Sequence, residues 1–506
     1  MQIGRGSTAV LDFLANPATH GGAPVRRIDT HAASVFLAGE RAFKVKRAVT
    51  FPFLDYSTLE KREAACRAEL EVNRPFAPDI YLRVMPITRE DDGALAIGGP
   101  GEPVEWAIEM RRFDETKALD RVADTGKLDD DLADALGRAV ARAHAAAPAA
   151  KPAPWIDSLA RIVGQNAAEL RGSPSLFAEA DVAALTAASH AALTRLRPLL
   201  ARRGAQGLIR RCHGDLHLGN VVLIGGRPVP FDAIEFDPLI ATGDVLYDLA
   251  FLLMDLIARG LDGTATVVLN RYLIETRRDG DIDALAALPL FMSVRAAIRA
   301  KVTAARHGPG DDGKARNYFA LAQRSIAPPP PRLVAVGGLS GTGKSVLARS
   351  LAPFVPPLPG ALVLRSDIER KLMFGAAEAD PLPPQAYQAD VTVEVYARLA
   401  DKARRALAAG HSAIADAVFA DPLERAGIAM AARSLAVPFN GLFLTAALET
   451  RLARIGGRVR DASDADAAVA RRQNDYDLGP MDWNEVDASG TPRQTLERAK
   501  AALPQS

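Results

Sequence analysis

The sequence predicts two domains of different fold class: an α+β, two-lobed N-terminal domain and an α/β C-terminal domain built on a parallel sheet. Three observations carry that division. Four consecutive prolines in SIAPPPPR, Ser325–Arg332, interrupt the chain. Ahead of them, short strands crowd the front of the segment and Ala-rich helices the back, whereas behind them strands and helices alternate. Two glycine-bearing polar motifs of unrelated design, RRCHGDLHLGN (Arg210–Asn220) and GLSGTGKS (Gly338–Ser345), fall on opposite sides of the prolines.

The bulk numbers agree with two folded domains. A chain of 506 residues exceeds one ordinary core. With 48% apolar and 24% charged residues it reads as globular rather than disordered. A net charge of +1 gives nucleic acid or an anionic membrane no general attraction, so charged partners are small and held locally. The two cysteines, Cys66 and Cys212, sit far apart in no metal-ligand spacing, which suits buried thiols in a reducing cytoplasm. No secretory signal opens the chain. The most apolar helical stretch, from Val245, carries Asp248 and Asp255 and is too short to span a bilayer, so no membrane segment is expected.

Taken in order, residues 34–46 (SVFLAGERAFKVK) predict two strands around a glycine turn. A helix follows over 58–73, then strands near 80–85 and 105–110, and from Leu128 the pattern is helical. The prolines favour an extended spacer and cannot continue a helix, which sets the domains at 1–325 and 333–506 with a linker over 326–332. After the linker, RLVAVGG, ALVLRSD, SAIADAV and NGLFLTA predict strands separated by helices over 344–351 and 391–409, as βαβ units require.

In HGDLHLGN, Asp215 and Asn220 have the spacing of a kinase catalytic loop: a carboxylate to orient or deprotonate an acceptor hydroxyl, and an amide oxygen for a metal. A hairpin around Gly225-Gly226 then delivers Asp232, a second carboxylate placed to bind Mg²⁺ between ATP phosphates. Such a site needs a lysine on an early strand and a helix glutamate to hold it. AFKVK supplies Lys44 and Lys46 on one face of a strand, with Lys44 favoured; Glu69 is the partner favoured over Glu63.

These residues together resemble the aminoglycoside-phosphotransferase-like kinases. The likeness covers residues 30 to about 320 and runs through THAASVFLAGERAFKVK, VEWAIEMRRF, HGDLHLGN and FDAIEFDPLIATGDVLYDLA. It implies a bilobal protein-kinase-like fold that uses ATP with Mg²⁺. Asp215 would be the base, Asn220 and Asp232 the metal ligands, backbone around Glu109–Arg112 the adenine contact, and Asp248 a structural support of the catalytic loop. The sequence departs from the kinase pattern in two places. No GxGxxG precedes the lysine strand, and Asp232 is followed by Ala233-Ile234 rather than Phe-Gly, which argues against protein-kinase-type switching. Arg295, Arg299 and Lys301 on a late helix lean toward an anionic acceptor if that helix lines the cleft.

GLSGTGKS satisfies G-x-x-x-x-G-K-[ST] between a strand and a helix. Backbone N–H groups of Gly338, Ser340, Gly341, Thr342 and Gly343 would wrap phosphates, Lys344 would reach the β/γ-phosphates and Ser345 would offer a hydroxyl to Mg²⁺. The segment resembles small P-loop kinases of the gluconate-kinase and zeta-toxin-like kind, through LRSDIERKL, ADAVF and RLARIGGRVRDASDADAAVARRQ. The resemblance implies Asp367 as acceptor base, with a helix N-cap as its alternative, and Arg370 as substrate-holding. Arg454 and Arg458 would be lid arginines, with Arg451 and Arg460 competing for that role. The whole arrangement resembles a bacterial two-domain family that fuses these two kinase types. It implies a cytoplasmic, bifunctional phosphotransferase, or one domain sensing nucleotide to control the other.

Overall fold

A computed structural model describes residues 5–51, 54–306, 308–457 and 462–504. Contacts gather the chain into two compact units, Met1–Gln165 with Leu193–Asp255, and Asn166–Ala192 with Leu256–Ser506.

In the first unit, β1 (Val25–Asp29), β2 (Ala33–Ala38), β3 (Arg41–Lys46), β4 (Tyr81–Arg89), β5 (Leu95–Ile97) and β6 (Glu102–Arg111) form one sheet in the order β1-β2-β3-β6-β4-β5. Every pairing is antiparallel. Successive side chains therefore alternate between two apolar clusters. Phe43 and Val45 join Phe36, Ile87 and Ala107 on one face, while Ala42 joins Leu37, Cys66 and Ile108 on the other. That alternation sends Lys44 and Lys46 to the Ala42 face, which α1 (Leu59–Asn73) covers. Thr58 caps α1 by accepting from the Lys61 N–H at 3.3 Å. Further on, β7 (Val221–Ile224) and β8 (Arg227–Pro230) make a hairpin that turns at Gly225 and Gly226. Both glycines have positive φ, as a two-residue turn matched to strand twist requires. The hairpin leads directly to Asp232, and α2 (Val245–Ala258) follows.

The second unit contains α3 (Asp262–Thr276) and a five-stranded sheet of β9 (Leu333–Gly338), β10 (Leu362–Arg365), β11 (Ala413–Asp416), β12 (Phe439–Thr445) and β13 (Asn484–Asp487). Its order is β10-β11-β9-β12-β13 and every pairing is parallel. All six residues of β9 are buried, as a central strand covered on both faces must be. Its Val334 and Val336 pack with Leu347 and Leu351 of α4 (Lys344–Leu351).

The prolines break the secondary structure but not the packing: the preceding helix ends at Ile326, and residues 327–332 are irregular. Helix α3, which precedes the prolines, lies in the same unit as the sheet that follows them, for a local reason. Strand β10 is a sheet edge with unpaired backbone groups. The Asn270 amide of α3 satisfies two of them, accepting from Val363 N–H at 2.7 Å and donating to Ala361 O at 3.1 Å. Thr266 Oγ1 donates to Pro359 O at 2.6 Å one turn earlier.

Candidate functional site

Each unit holds a cavity lined by residues singled out in the sequence. In the first, a cleft of about 390 Å³ is walled by Lys44, Lys46, Tyr81, Asp215, Asp232 and Glu235, among others. Of the expected adenine contact, Glu109–Arg112, the last three residues line the same wall, followed by Phe113.

Lys44 Nζ donates to Glu69 Oε1 at 2.7 Å and to Asp232 Oδ1 at 2.6 Å. Burial alone would depress this ammonium, but Asp232 and then Glu69 hold it well above the ordinary lysine value. The Lys44 charge in turn outweighs burial at Asp232 and holds that carboxyl below its usual range. Lys46 is used as well. It is almost wholly buried and meets the second oxygen of Glu69 and a carboxylate absent from the sequence expectations, Glu235. The fully buried Glu69 thus bridges both lysines, and of the two Lys44 is the one that also reaches Asp232. Glu63, the reserve candidate, pairs with Arg67 on the α1 surface.

The catalytic-loop candidates are held from α2. Asp248 accepts from Gly214 N–H at 2.8 Å and His213 N–H at 3.3 Å, and Asp255 accepts from Leu218 N–H at 3.0 Å. Asp248 is therefore the structural support that the resemblance implies, and Asp255 is a second one. His144, Cys212 and Asp248 bring three potential ligand atoms within 4.8 Å of one another. Asp248 is already committed to the loop amides and to His144, so this group reads as scaffold. The Asn220 amide nitrogen donates to Asp215 O and Oδ2, both at 3.0 Å. His217 Nε2 lies 3.4 Å from Asp215 Oδ2. Asp215 and Asp232 both line the cleft and offer carboxylate oxygens of the kind Mg²⁺ takes, and Asn220 is bonded to Asp215. The basic stripe expected to favour an anionic acceptor lies elsewhere. Arg295 is buried in helix packing, Lys301 pairs with Glu169 at 2.8 Å, and neither they nor Arg299 line either cavity.

The second cavity, of about 1350 Å³, is lined by Ser340–Ser345 together with Asp367, Arg370, Asp416 and Arg454. Gly338, Gly341 and Gly343 all have positive φ. A Cβ at Gly341 would stand 2.6 Å from Arg451 O, so this turn excludes any side chain there. Lys344 Nζ rests 3.3 Å from Leu339 O across the turn. Asp367 lies in the first turn of α5 (Ser366–Met373), whose N-cap is Arg365; the capping alternative for Asp367 does not hold. Arg365 instead reaches Asp416 at 3.3 Å.

Arg370 and Arg454 line this cavity and are also anchored to the backbone around it. Arg370 is buried, donates to Ala386 O at 2.5 Å and stacks 5.0 Å above the Tyr387 ring. Arg451 and Arg454, on α6 (Leu448–Gly456), brace the glycine turn. Arg451 donates to Ser340 O at 3.0 Å, and Arg454 to Thr342 O at 3.2 Å and Ala488 O at 2.8 Å. Arg458 and Arg460 lie outside the described residues. Two further residues escaped the sequence reading. Gln473, at the end of α7 (Ala467–Gln473), accepts from Ser340 N–H at 2.7 Å. Asp464 accepts from Lys371 Nζ at 2.7 Å and Leu382 N–H at 3.1 Å. Isolated Gln and Asp residues in a polar stretch give no sequence signal for such contacts.

A family model described as "Phosphotransferase enzyme family" matches residues 61–288, and one described as "AAA domain" matches 333–477. Uncharacterized proteins of Mycobacterium tuberculosis and Mycobacterium bovis are each 31% identical over 488 residues, covering 93% of this chain and 94% of theirs. Among solved structures, a choline/ethanolamine kinase family protein from Mesorhizobium loti is 14% identical, covering 63% of this chain and 95% of that one, with a TM-score of 0.38. A gluconokinase from Sinorhizobium meliloti 1021 is 18% identical, covering 34% of this chain and 91% of that one, with a TM-score of 0.26. Among the described residues, no helix is long and apolar enough to cross a membrane.

Proposed function

This chain belongs to the two-domain family it shares with the mycobacterial proteins, a phosphotransferase-enzyme-family segment followed by an AAA-domain segment, and on that premise we propose that it is an ATP- and Mg²⁺-dependent phosphotransferase acting on small-molecule hydroxyl groups. The observation that carries the reading is a single cleft in which Lys44 bonds both Glu69 and Asp232 while Asp215 stands on the wall.

In this scheme Lys44, steadied by Glu69, neutralises the α/β-phosphates of ATP. Asp215, oriented by the Asn220 amide, takes the proton of the acceptor hydroxyl. That oxygen bonds to the γ-phosphorus as the bond to the β-phosphate oxygen breaks, giving ADP and a phosphate ester. Asp232 and the Asn220 oxygen would hold a divalent cation, which supplies further charge neutralisation when bound. At the second site, Lys344 and the Gly341–Ser345 backbone hold a second nucleotide, and Asp367 faces the acceptor. With Asp215 and Asp367 as separate bases, the chain has two catalytic centres.

One observation favours a narrower role for the second site. Arg370, the expected substrate arginine, lines the cavity with one terminal nitrogen tied to Ala386 O and its plane over Tyr387, which leaves fewer of its N–H groups for an acceptor. Acceptor-dependent ADP release across a metabolite panel separates the two readings. Two active centres predict that Asp215→Asn removes one set of acceptors and Lys344→Ala another. A sensor predicts that Asp215→Asn removes them all. If both variants keep full turnover, the proposal fails.

A further inference from the structure

Lys46 and Glu235 have no part in the chemistry just described, yet they form an ion pair better buried than the Lys44–Asp232 pair beside it. Their side chains are 3% and 9% exposed, against 14% for Lys44. Lys46 takes one oxygen of Glu69 while Lys44 takes the other, so the helix glutamate is divided between two cations. Glu235 balances the second cation, and Tyr56 Oη donates to the same Glu235 oxygen at 2.8 Å. The Lys46 ammonium also lies 5.3 Å over the Tyr56 ring.

Glu235 follows the metal-ligand candidate Asp232 by three residues, and the whole segment is tied down. Asp232 adopts φ 63°, a left-handed conformation uncommon outside glycine but open to Asp. Contacts with neighbouring elements hold it there. Asp232 N–H donates to Tyr81 Oη at 3.1 Å, and Ala233 N–H to Asn73 Oδ1 at 2.8 Å. Asn73 Nδ2 returns a bond to Ala233 O at 3.3 Å, and Arg211 donates to Ile234 O at 2.8 Å. Asn73 ends α1, the helix that carries Glu69.

We infer that Lys46 and Glu235 are positioning residues that lock the Asp232 segment onto the Glu69 helix. This holds Lys44 and Asp232 in working register without a switching step. Removing the Glu235 charge would leave Lys46 competing with Lys44 for Glu69 and would release the segment at its C-terminal end. The inference rests on the proposed reading of the cleft, but its test does not depend on turnover.

The test uses the full-length chain carrying Lys344→Ala, so that only the first cleft binds nucleotide. Two measurements are made on Glu235→Gln and on the milder Tyr56→Phe: amide hydrogen exchange over residues 231–236, and ADP affinity with and without Mg²⁺. Glu235→Gln should speed exchange in that segment and weaken the Mg²⁺-dependent part of ADP binding on the order of 10- to 100-fold, as loss of an outer-shell partner does. Tyr56→Phe should shift both in the same direction by less, and Lys46→Arg should retain both. Unchanged exchange in a folded Glu235→Gln protein overturns the inference, as does an unchanged Mg²⁺ dependence of ADP binding. If the parent binds no ADP but exchange accelerates as stated, the lock stands and the phosphotransferase reading of the cleft falls.

Discussion

Under the proposed reading, the two sites solve one problem, holding a polyanion, with opposite materials. The P-loop site gathers its candidate groups from one turn of chain, Gly338–Ser345, whose tight path depends on glycines that accept positive φ. The first cleft gathers side chains from positions 44, 69, 215 and 232, on a strand, a helix and two loops, and buried charges keep them together. A site made of backbone fails when its turn cannot form. A site made of dispersed side chains fails when a single partner is lost.

The sharpest break of the comparison is at the chemistry. Asp215→Asn should lower acceptor-dependent turnover at the first site by about 10²- to 10⁴-fold, the range for loss of a general base, while nucleotide affinity at the P-loop is unchanged. Steady-state kinetics beside nucleotide titration would check both halves. At the other site, Gly341→Ala places a Cβ against Arg451 O in a left-handed conformation. The strain is about 1–3 kcal/mol, enough to weaken nucleotide binding there by roughly 5- to 150-fold with no change at the first cleft. Calorimetry on both single-site chains reads the difference.

Acid should distinguish the second unit through His411, whose Nε2 lies 2.9 Å from Gly360 O and whose burial pushes it from 6.5 to about 4. The unfolded chain binds that proton near pH 6.5 and the folded chain does not until about pH 4. Stability is therefore complete above 6.5, falls as pH drops through this window, and levels off below it. The loss is about 3 kcal/mol at 1.36 kcal/mol per unit. His411→Gln should flatten this slope in denaturant melts run from pH 7 to 4. The smallest expected effect is at the sheet edge. Asn270→Ala leaves Val363 N–H and Ala361 O without partners and should cost the second unit about 1–3 kcal/mol. Faster hydrogen exchange at Val363 would report it.

The motifs that a sequence can display are those made of neighbours. GLSGTGKS and HGDLHLGN each lie within a short stretch of chain, and so did the strands and helices around them: the helix expected over 344–351 spans Lys344–Leu351. Lys44 against Lys46 was undecidable, because a two-residue period puts both on one face, and only the position of Glu69 shows that both are engaged. Glu235 and Asp464 were invisible for the same reason, since their partners lie 189 and 93 residues away. The resemblance implied a lid role for Arg454, and only the fold shows that it also reaches three backbone carbonyls, one of them Thr342 O in the glycine turn.

By itself the sequence determined the two fold classes, the glycine turn, the catalytic-loop spacing and the break in helix at the prolines. All of these depend on local sterics and periodicity. Tertiary structure decided which charges share a partner, what covers the edge of the parallel sheet, and that α3 packs with the strands beyond the prolines. Those outcomes depend on burial: a buried ammonium, carboxylate or strand edge must be satisfied by whatever the fold brings within reach, however distant in the chain.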